Sequence, residues 1–289
     1  MAQVNRAIKR AFLKACPARL RSELLNSHPN LRKAAPQGLR FVFPNYYSGI
    51  AVNIDTRFKV ERIMWSGRYE PPLCAFLEAR NTTGWTCFDV GANVGAIALV
   101  LAQRCGPQGR VYAFEPGPPN LARLRGNLKL NPQLAARTEV IAAGVADCAG
   151  ELWWAEEKQN PGNALLASAG TDRVPVITLD DFVRERQTPT AATPALERLD
   201  FIKIDVEGME LKVMQGARNT LLRLRPILYF ETLPRYTNSG AGASFQQIRD
   251  FLERECGYAL YRLARNGTLL PAGKRGHGGY TVAVHGSKT

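Results

Sequence analysis

Between Asp89 and Gly95 the chain reads Asp-Val-Gly-Ala-Asn-Val-Gly, and Glu115 follows 20 residues beyond Gly95. Glycine turns a chain tightly and lets backbone approach a ligand, because positive φ costs it nothing. A carboxylate ending the next strand is placed to accept hydrogen bonds from a ribose diol. Gly91, Asn93, Gly95 and Glu115 therefore read as a nucleoside-binding turn. A dinucleotide fingerprint wants a middle glycine that admits a pyrophosphate. Here Asn93 stands in that place and the last glycine comes one residue early, which disfavours NAD. The pattern suits S-adenosylmethionine, which has a ribose and an amino-acid end but no phosphate. Asp89 could meet the ammonium of that ligand directly or through water.

A second group of acids ends two later strands. Alternation along FIKIDV (201–206) puts Lys203, Asp205 and Glu207 on one side if strand geometry persists to Glu207. Asp205 and Glu207 then sit at the carboxyl edge of the sheet, where open α/β folds bind ligands, and Glu231 ends the neighbouring strand. Three carboxylates there could act as a general base, as ligands for a hard divalent cation, or as hydrogen-bond partners of a polyol. Glu207 could instead cap the following helix. Lys203 is expensive to bury alone and is expected to pair with one of these acids. His28, His277 and His285 lie far from this stretch, so a histidine base is disfavoured.

Positioning these groups takes an alternation of strands and helices. TCFDV (86–90), RVYAFE (110–115), 138–144, 201–206 and PILYFE (226–231) read as parallel strands, with helices over 94–105, from Pro118, after Gly208 and over 244–256. YALYRL (258–263) and YTVAV (280–284) add an antiparallel pair. The fold class is thus α/β: a Rossmann-like seven-stranded sheet, mostly parallel, with an N-terminal helical extension. Residues 1–80 read as basic extension and lead-in and 81–289 as the domain, with residues 150–195 an insertion or lid. Trp153, Trp154, Tyr236 and Tyr46 could stack on a sugar, although core packing accounts for most such residues.

FDVGANVG (88–95), FEP (114–116), AAGVADCAGE (142–151), TLDDF (178–182) and above all DFIKIDVEGMELKVMQGA (200–217) resemble the FkbM family of S-adenosylmethionine-dependent methyltransferases. WSGRYEP (65–71) looks like the segment preceding the first strand there. The resemblance covers roughly residues 60 to 235 and implies a Rossmann-like methyltransferase fold. It implies methylation of a hydroxyl on a sugar, polyketide or other small-molecule or glycan acceptor, with Gly91, Asn93, Gly95 and Glu115 holding the cofactor. Asp147 matches an acidic position near which such enzymes hold the adenine.

Composition limits the rivals. The chain has 289 residues and a net charge of +13, but residues 1–40 hold nine basic residues against Glu23 alone, and residues 255–289 five against Glu255 alone. The body between carries 24 basic and 23 acidic residues, which argues against a long phosphate track, and no DNA is expected as partner. DVEG stands where base-modifying enzymes carry [DN]PP[YF] or a Pro-Cys pair. An RNA ribose 2′-O-methyltransferase and a non-catalytic cofactor-binding assembly protein remain the alternatives. Residues 4–15 form a basic amphipathic pattern suited to peripheral contact with an anionic membrane or partner. The longest apolar run, Ala96 to Ala102, is too short to span a bilayer, and six scattered cysteines without a CxxC suggest reduced thiols; a cytoplasmic location is expected.

Overall fold

Strands buried on both faces need near-continuous apolar sequence and helices to cover them, and the chain supplies both from Thr86 onward. The computed structural model describes residues 38–65, 69–156, 164–167, 170, 172–189, 195–232, 243–273 and 279–288. The pattern over 4–15 and Tyr236 lie outside the described residues.

The described chain begins with the antiparallel pair β1 (Arg40–Phe43) and β2 (Val52–Asp55), then helices α1 (Lys59–Trp65) and α2 (Pro71–Glu78). Next come β3 (Thr86–Val90), α3 (Ala96–Arg104), β4 (Arg110–Phe114), α4 (Pro118–Lys129), α5 (Pro132–Ala135) and β5 (Thr138–Ile141). Strands β6 (Gly144–Val145), β7 (Gly150–Glu156), β8 (Ala164–Ala167) and β9 (Asp172–Ile177) form a separate four-stranded sheet, followed by α6 (Leu179–Glu185). The chain returns through β10 (Phe201–Ile204), α7 (Glu210–Gln215), α8 (Arg218–Leu224), β11 (Ile227–Thr232) and α9 (Phe245–Asp250), whose winding loosens to a π-helical turn over Phe251–Glu255. It ends with β12 (Tyr258–Leu263), β13 (Leu269–Pro271) and β14 (Gly279–His285).

The main sheet has the order β13-β12-β14-β11-β10-β3-β4-β5. Its five strands from β11 to β5 are parallel and the other three antiparallel. Seven strands were expected and eight are present; the addition is the three-residue edge strand β13, too short to leave a periodic signal. The strand expected over 138–144 stops at Ile141, and Gly144 and Val145 pair with β9 instead. The described residues of the 150–195 insertion build most of the second sheet and α6.

One face of the main sheet is covered by α3, apolar on all sides and fully buried from Ala96 to Ala102, together with Ile54, Met64, Trp65 and Phe76 from the segment ahead of β3. On the other face Phe88, Tyr112, Phe114 and Phe182 meet edge to face at 5.0–5.6 Å between ring centres, a geometry that adds to their area burial. Tyr46 is buried and donates to the Ala96 carbonyl at 3.3 Å, a packing role. Trp153 lies beneath the Arg173 guanidinium at 5.4 Å. Among the described residues the cysteines are free thiols, and no helix is long and apolar enough to cross a membrane.

The TLDDF stretch closes two helix starts. Thr178 Oγ1 accepts from the Asp181 N–H at 3.0 Å, while the Asp180 carboxylate accepts from the N–H groups of Asn219 and Thr220 at 2.9 and 2.7 Å, opening α8. Asp180→Ala leaves both donors of α8 without this acceptor; a loss of about 1 kcal/mol is expected, read as a fall of roughly 2–4 °C in the midpoint of thermal unfolding.

Candidate active site

The turn after β3 is held in left-handed backbone at three residues, Gly91 (φ 77°), Asn93 (φ 51°) and Gly95 (φ 84°). A side chain on Gly91 would place its Cβ 2.0 Å from the Asp205 carbonyl oxygen, and one on Gly95 would lie 2.4 Å from Leu124 Cδ1. The room these glycines leave is therefore taken first by the protein itself, which packs the turn against the end of β10 and against α4. Glu115, directly after β4, locks the turn from the other side. Its Oε2 accepts from the Asn93 N–H at 2.8 Å and its Oε1 from the Gly117 N–H at 2.8 Å, with Asn120 Nδ2 at 3.5 Å. Burial pushes this carboxyl up, and those donors pull it back. An ionised carboxylate has about four acceptor positions, so Glu115 keeps capacity for a ligand.

Asp89 does not reach the cleft. Its carboxylate is fully buried, 3.2 Å from Lys203 Nζ, and is not on the cleft wall. Lys203, expected to pair with one acid, pairs with two, since Asp205 Oδ2 lies 3.5 Å away, and it also donates to the Gly91 carbonyl at 2.8 Å. Burial opposes the ammonium, yet Asp89 and Asp205 outweigh it and hold the lysine above its ordinary range.

Strand geometry ends at Ile204, earlier than the alternation argument required. Asp205 and Val206 are loop, and Glu207 (φ 56°) and Gly208 (φ 105°) form a left-handed turn. Glu207 is thus not placed by alternation with Lys203; the turn brings it to the cleft beside Asp205. The cleft encloses about 710 Å³, open mouth included. Gly91, Asn93, Glu115, Trp154, Asp205 and Glu207 are on its wall, and no Lys or Arg lines it among the described residues. Glu231 does not line it but sits on β11 close enough to act on Tyr69 and Tyr280. Asp147 is exposed and off the wall, so the structure does not bring it to the site. Among the described residues no three acidic, histidine or cysteine side chains gather as metal ligands, so Asp205, Glu207 and Glu231 do not form such a set.

The family model described as the methyltransferase FkbM domain matches residues 89–260. The chain belongs to the FkbM methyltransferase family. Methyltransferase sdnD of Sordaria araneosa is 29% identical over 153 residues, 44% of this chain and 58% of that protein. Hexuronic acid methyltransferase AglP of Haloferax volcanii is 27% identical over 138 residues, 46% of this chain and 50% of that protein. The chain spans about half the length of these curated relatives. Among solved structures, methyltransferase FkbM from Methylobacillus flagellatus KT superposes with a TM-score of 0.47 at 17% identity, covering 78% of this chain and 54% of that one.

Two residues of this FkbM-family chain escaped sequence reasoning. Glu70 adopts left-handed backbone (φ 45°, ψ 52°) just ahead of Pro71 and accepts from Tyr229 Oη at 2.5 Å. The signals in the sequence were its place in WSGRYEP and an acid before two prolines. Glu210 accepts from the N–H groups of Val206 and Gly208 at 3.3 and 3.1 Å, so it and not Glu207 braces the turn that carries the cleft acids. Burial pushes the Glu210 carboxyl up to about 7. A carboxyl raised on folding stabilises most when protonated, and that contribution fades as pH climbs through the folded value. From about pH 5 to about pH 8 the wild type should therefore lose stability relative to Glu210→Gln, as read from urea unfolding at each pH.

Proposed function

We propose that this FkbM methyltransferase transfers a methyl group from S-adenosylmethionine to a hydroxyl on a sugar, polyketide or other small-molecule or glycan acceptor. The observation that carries the reading is the cleft's charge: Glu115, Asp205 and Glu207 are on its wall, with no basic side chain there among the described residues. Such a wall suits a ligand with positive charge and hydroxyls and opposes one bearing phosphates. Glu115, fixed by the Asn93 and Gly117 amides, is the acceptor for a ribose diol. Trp154 lends an apolar face next to it. When bound, S-adenosylmethionine supplies an electrophilic methyl on a sulfonium.

The protein's share is alignment in a water-poor cleft, together with removal of the acceptor's proton. We assign that task to Asp205; its position on the cleft wall just past β10 and its pairing with Lys203 at 3.5 Å support the assignment. Glu207, on the wall, serves as a hydrogen-bond partner of the acceptor, while Glu231, off the wall, adds negative charge near Tyr69 and Tyr280. The name of AglP, a hexuronic acid methyltransferase, supports a sugar-type acceptor.

Incubation with methyl-labelled S-adenosylmethionine and fractionated cell extract should label a hydroxyl-bearing compound; label only on amines or on nothing overturns the reading. Asp205→Asn should lower that labelling by about 100-fold or more while calorimetric affinity for S-adenosylmethionine stays close to wild type. Glu115→Ala should weaken S-adenosylmethionine binding by roughly 10- to 100-fold, the worth of a charge-assisted hydrogen bond, and unchanged affinity would count against the cofactor assignment.

A further inference from the structure

Lys203 stands at the centre of a row of polar side chains crossing three adjacent strands at one level, paired in register with Asp89 on β3 and with Tyr229 on β11. Such a row in a sheet buried on both faces is unusual, because each group must find a partner inside the protein. The helices covering this face add to it. Glu70, delivered by a left-handed residue at the start of α2, joins the row by accepting from Tyr229 Oη at 2.5 Å. Left-handed backbone at a glutamate is strained and persists only where the surroundings enforce it. Tyr280, stacked on Tyr229 at 4.8 Å with the rings 7° from parallel, also hydrogen-bonds to Glu70.

The charges do not balance. Three carboxylates, Asp89, Asp205 and Glu70, act on one ammonium, and among the described residues Lys203 is the one cation within ion-pair distance of Asp89 and Asp205. Its near neighbours are already the Gly91 carbonyl and those two acids. Glu70 is left with neutral hydroxyl donors, largely out of water and facing the charge of Asp205. The groups that face it are Tyr229 and Tyr280 from the sheet, Asp205 and Lys203 from β10 and its end, and Tyr69, Cys74 and Tyr46 from its own side of the fold. Like-charged carboxyls in such a setting do not both ionise.

We propose that Glu70 is a proton-holding residue of the acceptor side of this site: it carries a proton while the cleft has no methyl donor and gives it up when the sulfonium enters. The inference rests on the S-adenosylmethionine reading above. Burial raises the Glu70 carboxyl, Asp205 raises it further, and the two tyrosine hydroxyls and Lys203 pull against them. An added positive charge in the same cleft as Asp205 works in the same direction as Lys203 and favours the ionised form. The freed carboxylate then acts on Asp205 through its charge when a proton must be taken up. In the transfer the acceptor's O–H bond breaks towards the acids. Its oxygen forms the new bond to carbon as the C–S bond breaks towards sulfur, and the sulfonium's positive charge ends as the proton held by the protein. Glu70 acts through Tyr229, Tyr280 and the field at Asp205, and is a positioning residue.

The test needs no acceptor. Calorimetric titration of S-adenosylmethionine, and separately of the uncharged product S-adenosylhomocysteine, in buffers of different ionisation enthalpy counts the protons released on binding. S-adenosylmethionine should release more than S-adenosylhomocysteine, by up to about one proton per chain, and Glu70→Gln should abolish the difference while both ligands still bind. Equal release by the two ligands, or a difference that survives in Glu70→Gln, overturns the proposal. An infrared difference spectrum provides a second check: the protonated-carboxyl band that Glu70→Gln removes should be lost from the wild type on adding S-adenosylmethionine and not on adding S-adenosylhomocysteine, and if that band is unchanged by both ligands the idea is sunk. If neither ligand binds, the methyl-donor reading itself fails, an outcome distinct from binding without proton release.

Discussion

The buried ammonium of Lys203 is the tie on which the rest of the site depends. It reaches the carbonyl of Gly91, the carboxylate of Asp89 and the carboxylate of Asp205, and so joins the turn after β3, the body of β3 and the end of β10. Desolvating one cation and two acids is costly, and the cost is recovered only if every partner stays in place. Losing one partner of such a buried group is worth roughly 3–5 kcal/mol, more than most single contacts in the sheet. The glycine turn and the acidic loop are therefore one object, and neither can shift without unpairing a charge.

The sheet was legible because its strands are short apolar runs with clear breaks. TCFDV and PILYFE became strands with nearly the expected bounds. The turn at Gly91, Asn93 and Gly95 was legible too, since glycine spacing reports positive φ directly. What could not be read was which atoms fill the space the glycines leave. Gly91 makes way for the Asp205 carbonyl, a contact between residues more than a hundred positions apart in the chain. Nor could the sequence show that Asp89, at a strand end, lies in register with Lys203 and pairs with it.

Errors at the end of β10 share one origin. Period-two reasoning holds while the strand lasts, and here it stops at Ile204, so Glu207 reaches the cleft by a left-handed turn instead. That turn is stabilised by Glu210, three residues beyond Glu207, whose role depends on where two amides point. Glu70 was hidden by the same kind of dependence. Nothing in its local sequence signals left-handed backbone, which is imposed by Tyr229 and the packing of α2.

The side chains around the cleft come from two stretches of chain with different standing in the family. Asn93, Glu115, Trp154 and Asp205 fall inside the matched residues 89–260, whereas Val60, Tyr69 and Glu70 precede them. The later stretch carries the turn, Glu115 and the acid at the end of β10; the earlier one adds a second flank held to the first through a hydrogen bond to Tyr229. This is a division of labour within a single fold. The glycine turn is fixed by Glu115 and Lys203, whereas the second flank of the cleft is fixed by how α2 packs and by the Glu70–Tyr229 hydrogen bond, so the two flanks answer to different parts of the chain.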